Sequence, residues 1–388
     1  MQSCEKTDFG VRMASSKLHT LAQGSTRRTT KKKRMTDTST YDVIVIGGGP
    51  AGLTAALYTT RLGHDTALVN REGGRYESVN RVHNLIGISK ETRGSEITDL
   101  ALNQLQEYGA DHHLASVDSI HKERAEREFR VEGDSLDLLA DRVVLATGIR
   151  DRPPTLGGLK EYTGHGLHYC LHCDAFDLVD EPTFMFGHSG EAATAAMILL
   201  NFTGDVDLLL NGESPTWDKE TARQLRAHPV NIIETEAINV NPDDPDTETP
   251  WIGSIDFADG TTREYTGGFA MYGSDHNARL ARELGCDLKE DESIAVDDHG
   301  HTSVDGIYAV GDVTPGHNQT PVAIGDGAKA GIAVHKETRT YPIPVEELDE
   351  REELAKRDLP ALSEGLREQV QTGSTTEEHS GMTPKADD

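Results

Sequence analysis

The 388-residue chain predicts an α/β protein built from two Rossmann-like nucleotide-binding units, and three observations predict it. An apolar run, Val43-Ile44-Val45-Ile46, empties into Gly47-Gly48-Gly49-Pro50-Ala51-Gly52. The same grammar restarts at Thr183-Phe184-Met185-Phe186, which leads into Gly187-His188-Ser189-Gly190-Glu191-Ala192. Between the two stand Cys170 and Cys173, two residues apart, with Asp174 directly behind.

The first repeat reads as strand, tight turn and helix start. Four β-branched residues in a row suit a parallel strand buried on both faces. Gly47 permits the turn, Gly49 lets a pyrophosphate approach the backbone, and Gly52 lets the helix pack on the strand. Ala51 to Leu62 continues as a helix of small residues, and Thr66 to Val69 forms the second strand. That strand ends in Asn70, with Glu72 two residues on, where an acidic residue often holds a ribose. Asn70 retains the capacity to hydrogen-bond a hydroxyl.

Helical spacing returns over Ile97 to Tyr108, and short strands suit Val117 to Val131 and Leu136 to Val144. The last runs into Ala146-Thr147-Gly148, an apolar strand stopped by a small turn. Pro153-Pro154 and Gly157-Gly158 mark a linker and the first domain boundary.

The cysteine pair opens the second unit. Two cysteines at this spacing can close a disulfide across one helical turn, and a helix start favours the thiolate. Asp174 offers a carboxyl able to carry a proton to or from a leaving thiolate. Zinc is the competing reading, with His165, His168 and His172 close by. A closed zinc site takes four ligands from separated pairs, whereas the other cysteines, Cys4 and Cys286, stand far away in the chain.

The second glycine turn departs from the pattern of the first. Ser189 replaces the middle glycine, and Glu191 sits where it would repel a pyrophosphate. The following strand, Val206 to Leu210, ends in Asn211-Gly212-Glu213, with no arginine to hold a 2′-phosphate. Strands follow at Ile232 to Val240 and Trp251 to Phe257, and Phe269 to Gly273 is read as the crossing back to the first unit. Ile307 to Val310 is a further strand ending in Gly311-Asp312, and Thr320 to His335 is helical.

Composition excludes several classes. Thirty-eight basic residues face 66 acidic ones, a net charge of −28 that repels nucleic acid and anionic membranes. Acidic residues spread over the surface keep a protein dispersed where salt screens charge, which points to a salt-adapted source. No apolar run reaches the length of a membrane span. Few cysteines and one close pair fit a reducing cytoplasm rather than a secreted disulfide framework. Residues 1–40 form a basic tail, read as disordered, with Met35 an alternative start; Arg27-Arg28 is followed by no apolar export segment. Residues 342–388 form an acidic C-terminal tail.

In this order, GGGPAG, ATG at Ala146 to Gly148, CxxCD at Cys170 to Asp174, a second glycine turn and YAVGD at Tyr308 to Asp312 resemble the low-molecular-weight thioredoxin reductases. The likeness covers Tyr41 to Tyr341 and implies a three-layer ββα fold. An FAD domain (41–153 and 274–341) would be interrupted by an inserted NAD(P)-binding-like domain (154–273) carrying the CxxC. It implies FAD held by Gly47, Gly49, Gly52, Asn70, Asn84, Thr147, Gly148, Asp312 and Gln319. NAD(P)H would lie at Gly187, Ser189 and Ala192; the departures at Ser189, Glu191 and Asn211-Gly212-Glu213 argue against selectivity for NADPH and leave open a structural domain whose nucleotide site has lapsed. Cys173 would face the flavin, Cys170 would exchange with the substrate disulfide, and Asp174 would serve as acid and base. The implied partners are a thioredoxin-like protein or small disulfide and a second copy of the chain. The altered second turn and the strand ending in Asn-Gly also resemble the related dithiol oxidases, which run the relay from dithiols to oxygen. Asp174 stands where those enzymes usually carry histidine. A flavin redox sensor without turnover is a third reading.

Overall fold

Residues 38–71, 74–123 and 128–338 are described in the computed structural model. The basic tail through residue 37, Glu72 and the acidic segment from residue 339 lie outside them.

Strand β1 (Ser39–Ile46) and helix α1 (Pro50–Arg61) flank the first glycine turn, and β2 (Thr66–Asn70) follows. Helix α2 (Gly94–Glu107) leads to a short strand absent from the sequence reading, β3 (Asp111–Leu114). Then come β4 (Ser119–Lys122), β5 (Phe129–Gly133) and the long β6 (Leu136–Leu145). The strands β3, β2, β1 and β6 pair parallel, whereas β4, β5 and the first half of β6 form an antiparallel meander. One long strand thus serves both arrangements.

Alternation along β1 builds the layers. Val43 and Val45 pack with Ala55 and Ala56 of α1, while Ile44 and Ile46 face the opposite core with Phe129 and Val143. All four are essentially free of solvent, as a strand buried on both faces requires.

An antiparallel ribbon joins the units: β7 (Ile149–Asp151) pairs with β16 (Ser274–His276). Between them lie β8 (Leu167–His168), α3 (Leu171–Asp174), β9 (Thr183–Phe186), α4 (Gly190–Leu199), β10 (Val206–Leu209), α5 (Lys219–Ala227) and β11 (Val230–Ile233). Next come β12 (Ala237–Pro242), β13 (Ile252–Phe257), β14 (Thr262–Glu264) and β15 (Gly267–Ala270). A parallel sheet in the order β11-β10-β9-β15-β8 is covered on one face by α4 and on the other by the antiparallel β12-β13-β14.

Two sequence readings need correcting. Ile232 to Val240 is not one strand: β11 ends at Ile233, and Ala237 begins a strand of a different sheet. The apolar pattern runs across both because each buries some side chains. Gly267–Ala270 is the fourth strand of the second sheet rather than a crossing, so the return is made by Ser274–His276.

After the ribbon, α6 (Arg279–Leu284) leads to β17 (Ile307–Ala309), which pairs parallel with the end of β6 and completes the first sheet. Helix α7 (Thr320–Thr338) then packs directly on α1. A Cβ on Gly327 would stand 2.2 Å from the Ala51 carbonyl oxygen, and one on Gly331 2.6 Å from the Tyr58 Cβ. Glycine at both positions lets the backbones touch. Because the contacts run in parallel register, the residues before α7 and the glycine turn before α1 lie at one end of the domain.

Candidate active site

The first glycine turn is built as the sequence suggests. Gly47 has φ +114°, and a Cβ there would lie 2.2 Å from the Ala146 carbonyl oxygen. A Cβ on Gly52 would lie 1.9 Å from the Gly47 carbonyl oxygen, so helix, turn and β6 close on one another. Gly49 differs: a Cβ there meets no protein atom within 4 Å. It faces a cleft of about 1380 Å³. Gly49 precedes the first residue of helix α1, which has no side-chain cap and no acid in its first turn. Its free N–H groups therefore offer an anion site, and the open space over Gly49 is the room a pyrophosphate takes. These residues fit a dinucleotide.

Asn70, Asn84, Thr147, Gly148, Asp312 and Gln319 all line that same cleft. Asn70 is nearly buried, and its Oδ1 is engaged by His112 Nε2 from β3. With Nε2 donating, the amide nitrogen is the group left over, so Asn70 meets a ligand as a donor rather than as the acceptor an acid would be. Asn277 laces the ATG turn: Thr147 Oγ1 donates to its carbonyl at 2.8 Å, and Asn277 Nδ2 donates to the Thr147 carbonyl at 2.8 Å. Asn277 carries no motif, and only the return of the chain through β16 brings it there.

Arg75 was also missed. Its Nε donates to Asp151 at 2.7 Å and its second guanidinium arm to Asp312 at 3.4 Å. Burial works against the arginine's charge, but Asp151, then Asp312 and Asp174, raise its pKa above the usual value. Burial likewise raises Asp312, which Arg75 only partly offsets because its shorter bonds go to Asp151.

At the far side of the cleft Cys170 and Cys173 form a disulfide. The helix after Cys170 is a single turn, Leu171–Asp174, followed by a 3-10 turn at Ala175–Leu178. So short a helix gives the sulfurs little macrodipole, and side chains do more. Gln319 Nε2 donates to Cys170 Sγ at 3.3 Å and lies 3.7 Å from Cys173 Sγ. Asn84 Nδ2 lies 3.7 Å from Cys173 Sγ and donates to Gln319 Oε1 at 2.9 Å. Both amides come from segments beside the first sheet, so the disulfide, which follows the first strand of the second sheet, is held against the cleft.

Asp174 is partly buried, and its Oδ2 lies 3.2 Å from His168 Nδ1. His83, from the Asn84 loop, pairs with Asp177 at 2.7 Å. Of the histidines weighed as zinc ligands, His168 thus spends Nδ1 on Asp174, His165 lies against Asn80 and Trp251, and the two sulfurs are spent on each other.

The second glycine turn is occupied differently. Ser189 caps α4, accepting from the Ala192 amide at 3.2 Å, so the amide expected to meet a nucleotide phosphate already has a partner. The Thr216 amide donates to the His188 carbonyl at 2.8 Å, and Trp217 packs beside Gly190. His188 Nδ1 is buried there with no hydrogen-bond partner in the protein, a polar group left for a ligand or water. Burial, and then the charge of Glu213, push the Tyr272 phenol up to about 12.

Comparison with known proteins agrees with this geometry. The family model described as pyridine nucleotide-disulphide oxidoreductase matches residues 41–327. A polypeptide of the alkyl hydroperoxide reductase of Pseudomonas putida is 31% identical over 315 residues, which cover 76% of this chain but 57% of that protein. This chain therefore spans less than two thirds of that relative's length. Thioredoxin reductase of Peptoclostridium litorale is 28% identical over 76% of this chain and 96% of its own. The crystal structure of thioredoxin reductase from Streptococcus pyogenes superposes with a TM-score of 0.71 at 25% identity, covering 78% of this chain and all of that one.

Proposed function

We infer that this chain, which belongs to the pyridine nucleotide-disulphide oxidoreductase family, is a disulfide oxidoreductase of the thioredoxin reductase type. The observation that carries this reading is the Cys170–Cys173 disulfide, set on the same cleft as the open glycine turn and tied to it by Gln319. FAD is the dinucleotide this cleft suits. The uncapped start of α1, with Gly47, Gly49 and Gly52, would hold its pyrophosphate, and Asn70, Thr147, Gly148 and Asp312 its hydroxyl and ring groups. Bound there, FAD supplies the capacity to take up and pass on electrons that protein side chains lack.

The chain's own residues do the rest. Gln319 and Asn84 hold the sulfurs against the cleft and donate to them, which stabilises negative charge on sulfur as the disulfide opens. Cys170 is read as the sulfur that exchanges with the substrate disulfide, Cys173 as the one facing the cofactor. Asp174 carries the proton. Arg75 keeps a positive charge between Asp151 and Asp312 inside the cleft.

A reduced nicotinamide is proposed as donor and a thioredoxin-like protein or small disulfide as acceptor. Supporting a homodimer, Ile86 and Leu100 leave apolar side chains exposed. The sparing use of cysteine supports a reducing cytoplasm, and the surface charge a salt-adapted one. Among the described residues no helix is long and apolar enough to cross a membrane.

Anaerobic titration of the FAD-loaded protein with NADH and NADPH tests the reading. Flavin bleaching, followed by a gain of two thiols per chain and their loss on adding a disulfide, is expected. Bleaching by neither nicotinamide, with a dithiol and oxygen turned over instead, would establish the oxidase. A folded protein that binds FAD but turns over no donor would be the sensor.

A further inference from the structure

We propose that His168 is the positioning residue for Asp174, holding its carboxyl to the Cys170–Cys173 pair so that protons enter and leave the thiols by one route. The proposal rests on the reading of the pair as exchanging with a substrate disulfide.

His168 is the last residue of β8, whose pairing of His168 with Phe269 on β15 fixes its backbone. Its ring packs on Phe269 and Trp251, with centroids 5.7 and 6.4 Å away, and is largely buried. Nδ1 points at Asp174 Oδ2, 3.2 Å away, and donates while the carboxyl is ionised. Asp174 needs such a partner. It ends a one-turn helix, the Asp177 carboxylate is close by, and His83 is already paired with Asp177 at 2.7 Å. Arg75, whose charge reaches Asp174, is bonded to Asp151 and Asp312. His168 is thus the rigidly packed donor that fixes this carboxyl, and rigid second partners of this kind set how precisely an acid is aimed.

In the exchange the Cys170 thiol gives its proton to Asp174 and attacks one sulfur of the substrate disulfide. That S–S bond breaks, and the departing thiolate takes the proton from Asp174. Cys173 then gives its proton to the same carboxylate and attacks Cys170 Sγ, which re-forms the enzyme disulfide. The second substrate thiolate is expelled and takes that proton. Two electrons and two protons pass from the enzyme dithiol to the substrate disulfide.

The FAD-loaded protein, reduced anaerobically with dithionite, is mixed with hydroxyethyl disulfide, and enzyme thiols are counted by rapid quench from about pH 5 to about pH 9. An alkyl thiolate leaves poorly without a proton, so H168A should slow exchange by about tenfold or more. H168N keeps an N–H donor and should recover the rate to within about threefold. With dithiobis(nitrobenzoate), whose thiolate leaves unprotonated, H168A should cost several-fold less than on the alkyl disulfide, since only the proton taken from the attacking thiol then depends on Asp174. Added to D174N, H168A should cost nothing further. Equal slowing on both disulfides by H168A, or additivity with D174N, would overturn the proposal, as would an unaffected H168A beside a slow D174N. A D174N protein at the wild-type rate on the alkyl disulfide would bring down the acid–base reading itself, and the proposal with it. Retained FAD and an intact Cys170–Cys173 disulfide check the fold of each variant.

Discussion

Gln319 donates from Nε2 to Cys170 Sγ at 3.3 Å although 149 residues separate them. The bond joins the residue before α7 to the cap of α3 and fixes the disulfide on the cleft. Q319L should keep the disulfide but slow its reduction by about tenfold in the FAD-loaded protein, because a charge-assisted donor to the opening sulfur is lost. Stopped-flow reduction of the loaded protein measures it, and an unchanged rate would remove Gln319 from the relay.

The two cysteines should separate by variant. C173S is expected to abolish electron passage to a disulfide, since the sulfur facing the cofactor is gone. C170S leaves Cys173 as a lone thiolate on the cleft, which should appear as long-wavelength absorption of the flavin. Stoichiometric zinc protecting both thiols from alkylation in the wild-type protein would instead restore the metal reading.

The glycines of the first turn should fail differently. G52A places a methyl 1.9 Å from a backbone oxygen and should destabilise the fold by more than about 2 kcal/mol. G49A meets no protein atom, so Tm should shift little while FAD affinity falls by about tenfold or more. Melting curves and equilibrium dialysis of the two variants check this; equal FAD affinity in G49A and wild type would displace the pyrophosphate from Gly49.

NADH should serve at least as well as NADPH. Glu213 lies at the end of the second sheet, and a 2′-phosphate beside it loses on the order of 1–3 kcal/mol, roughly tenfold or more in affinity. Salt softens that preference without reversing it. E213R should raise NADPH use, and a wild-type kcat/KM favouring NADPH by more than about tenfold would refute the reading.

His301 should contribute pH-dependent stability. It bridges Asp297, at 2.8 Å, and Glu337, which also takes the Tyr308 hydroxyl. Burial pulls the imidazole's pKa down, but the two carboxylates raise it overall. The contribution is therefore complete below the unfolded histidine's value and lost as pH rises through the raised one. Asp297, which slight burial raises but the His301 and backbone bonds bring down to about 2, loses its share only as pH falls towards that value. H301A should cost about 0.5–1 kcal/mol in mildly acid solution, the pair being partly exposed, and the deficit should shrink above neutral pH. A deficit that grows with pH would contradict the sign.

What the sequence determined by itself was local. Val43 to Ile46 before Gly47, and Thr183 to Phe186 before Gly187, specify buried strands and tight turns because apolar runs and glycines act over a few residues. The spacing of Cys170 and Cys173 set the disulfide within reach for the same reason. Tertiary structure alone decided what meets those elements. His168 stood in the sequence as a zinc ligand candidate and became the partner of Asp174, since β8 and the turn after Cys170 fold one against the other. Arg75, His112 and Asn277 bear on the cleft through sheet order and through the return of the chain at β16, which no short stretch encodes. Side-chain pairing across long separations depends on packed layers, and their order comes from burying apolar faces on both sides of each sheet.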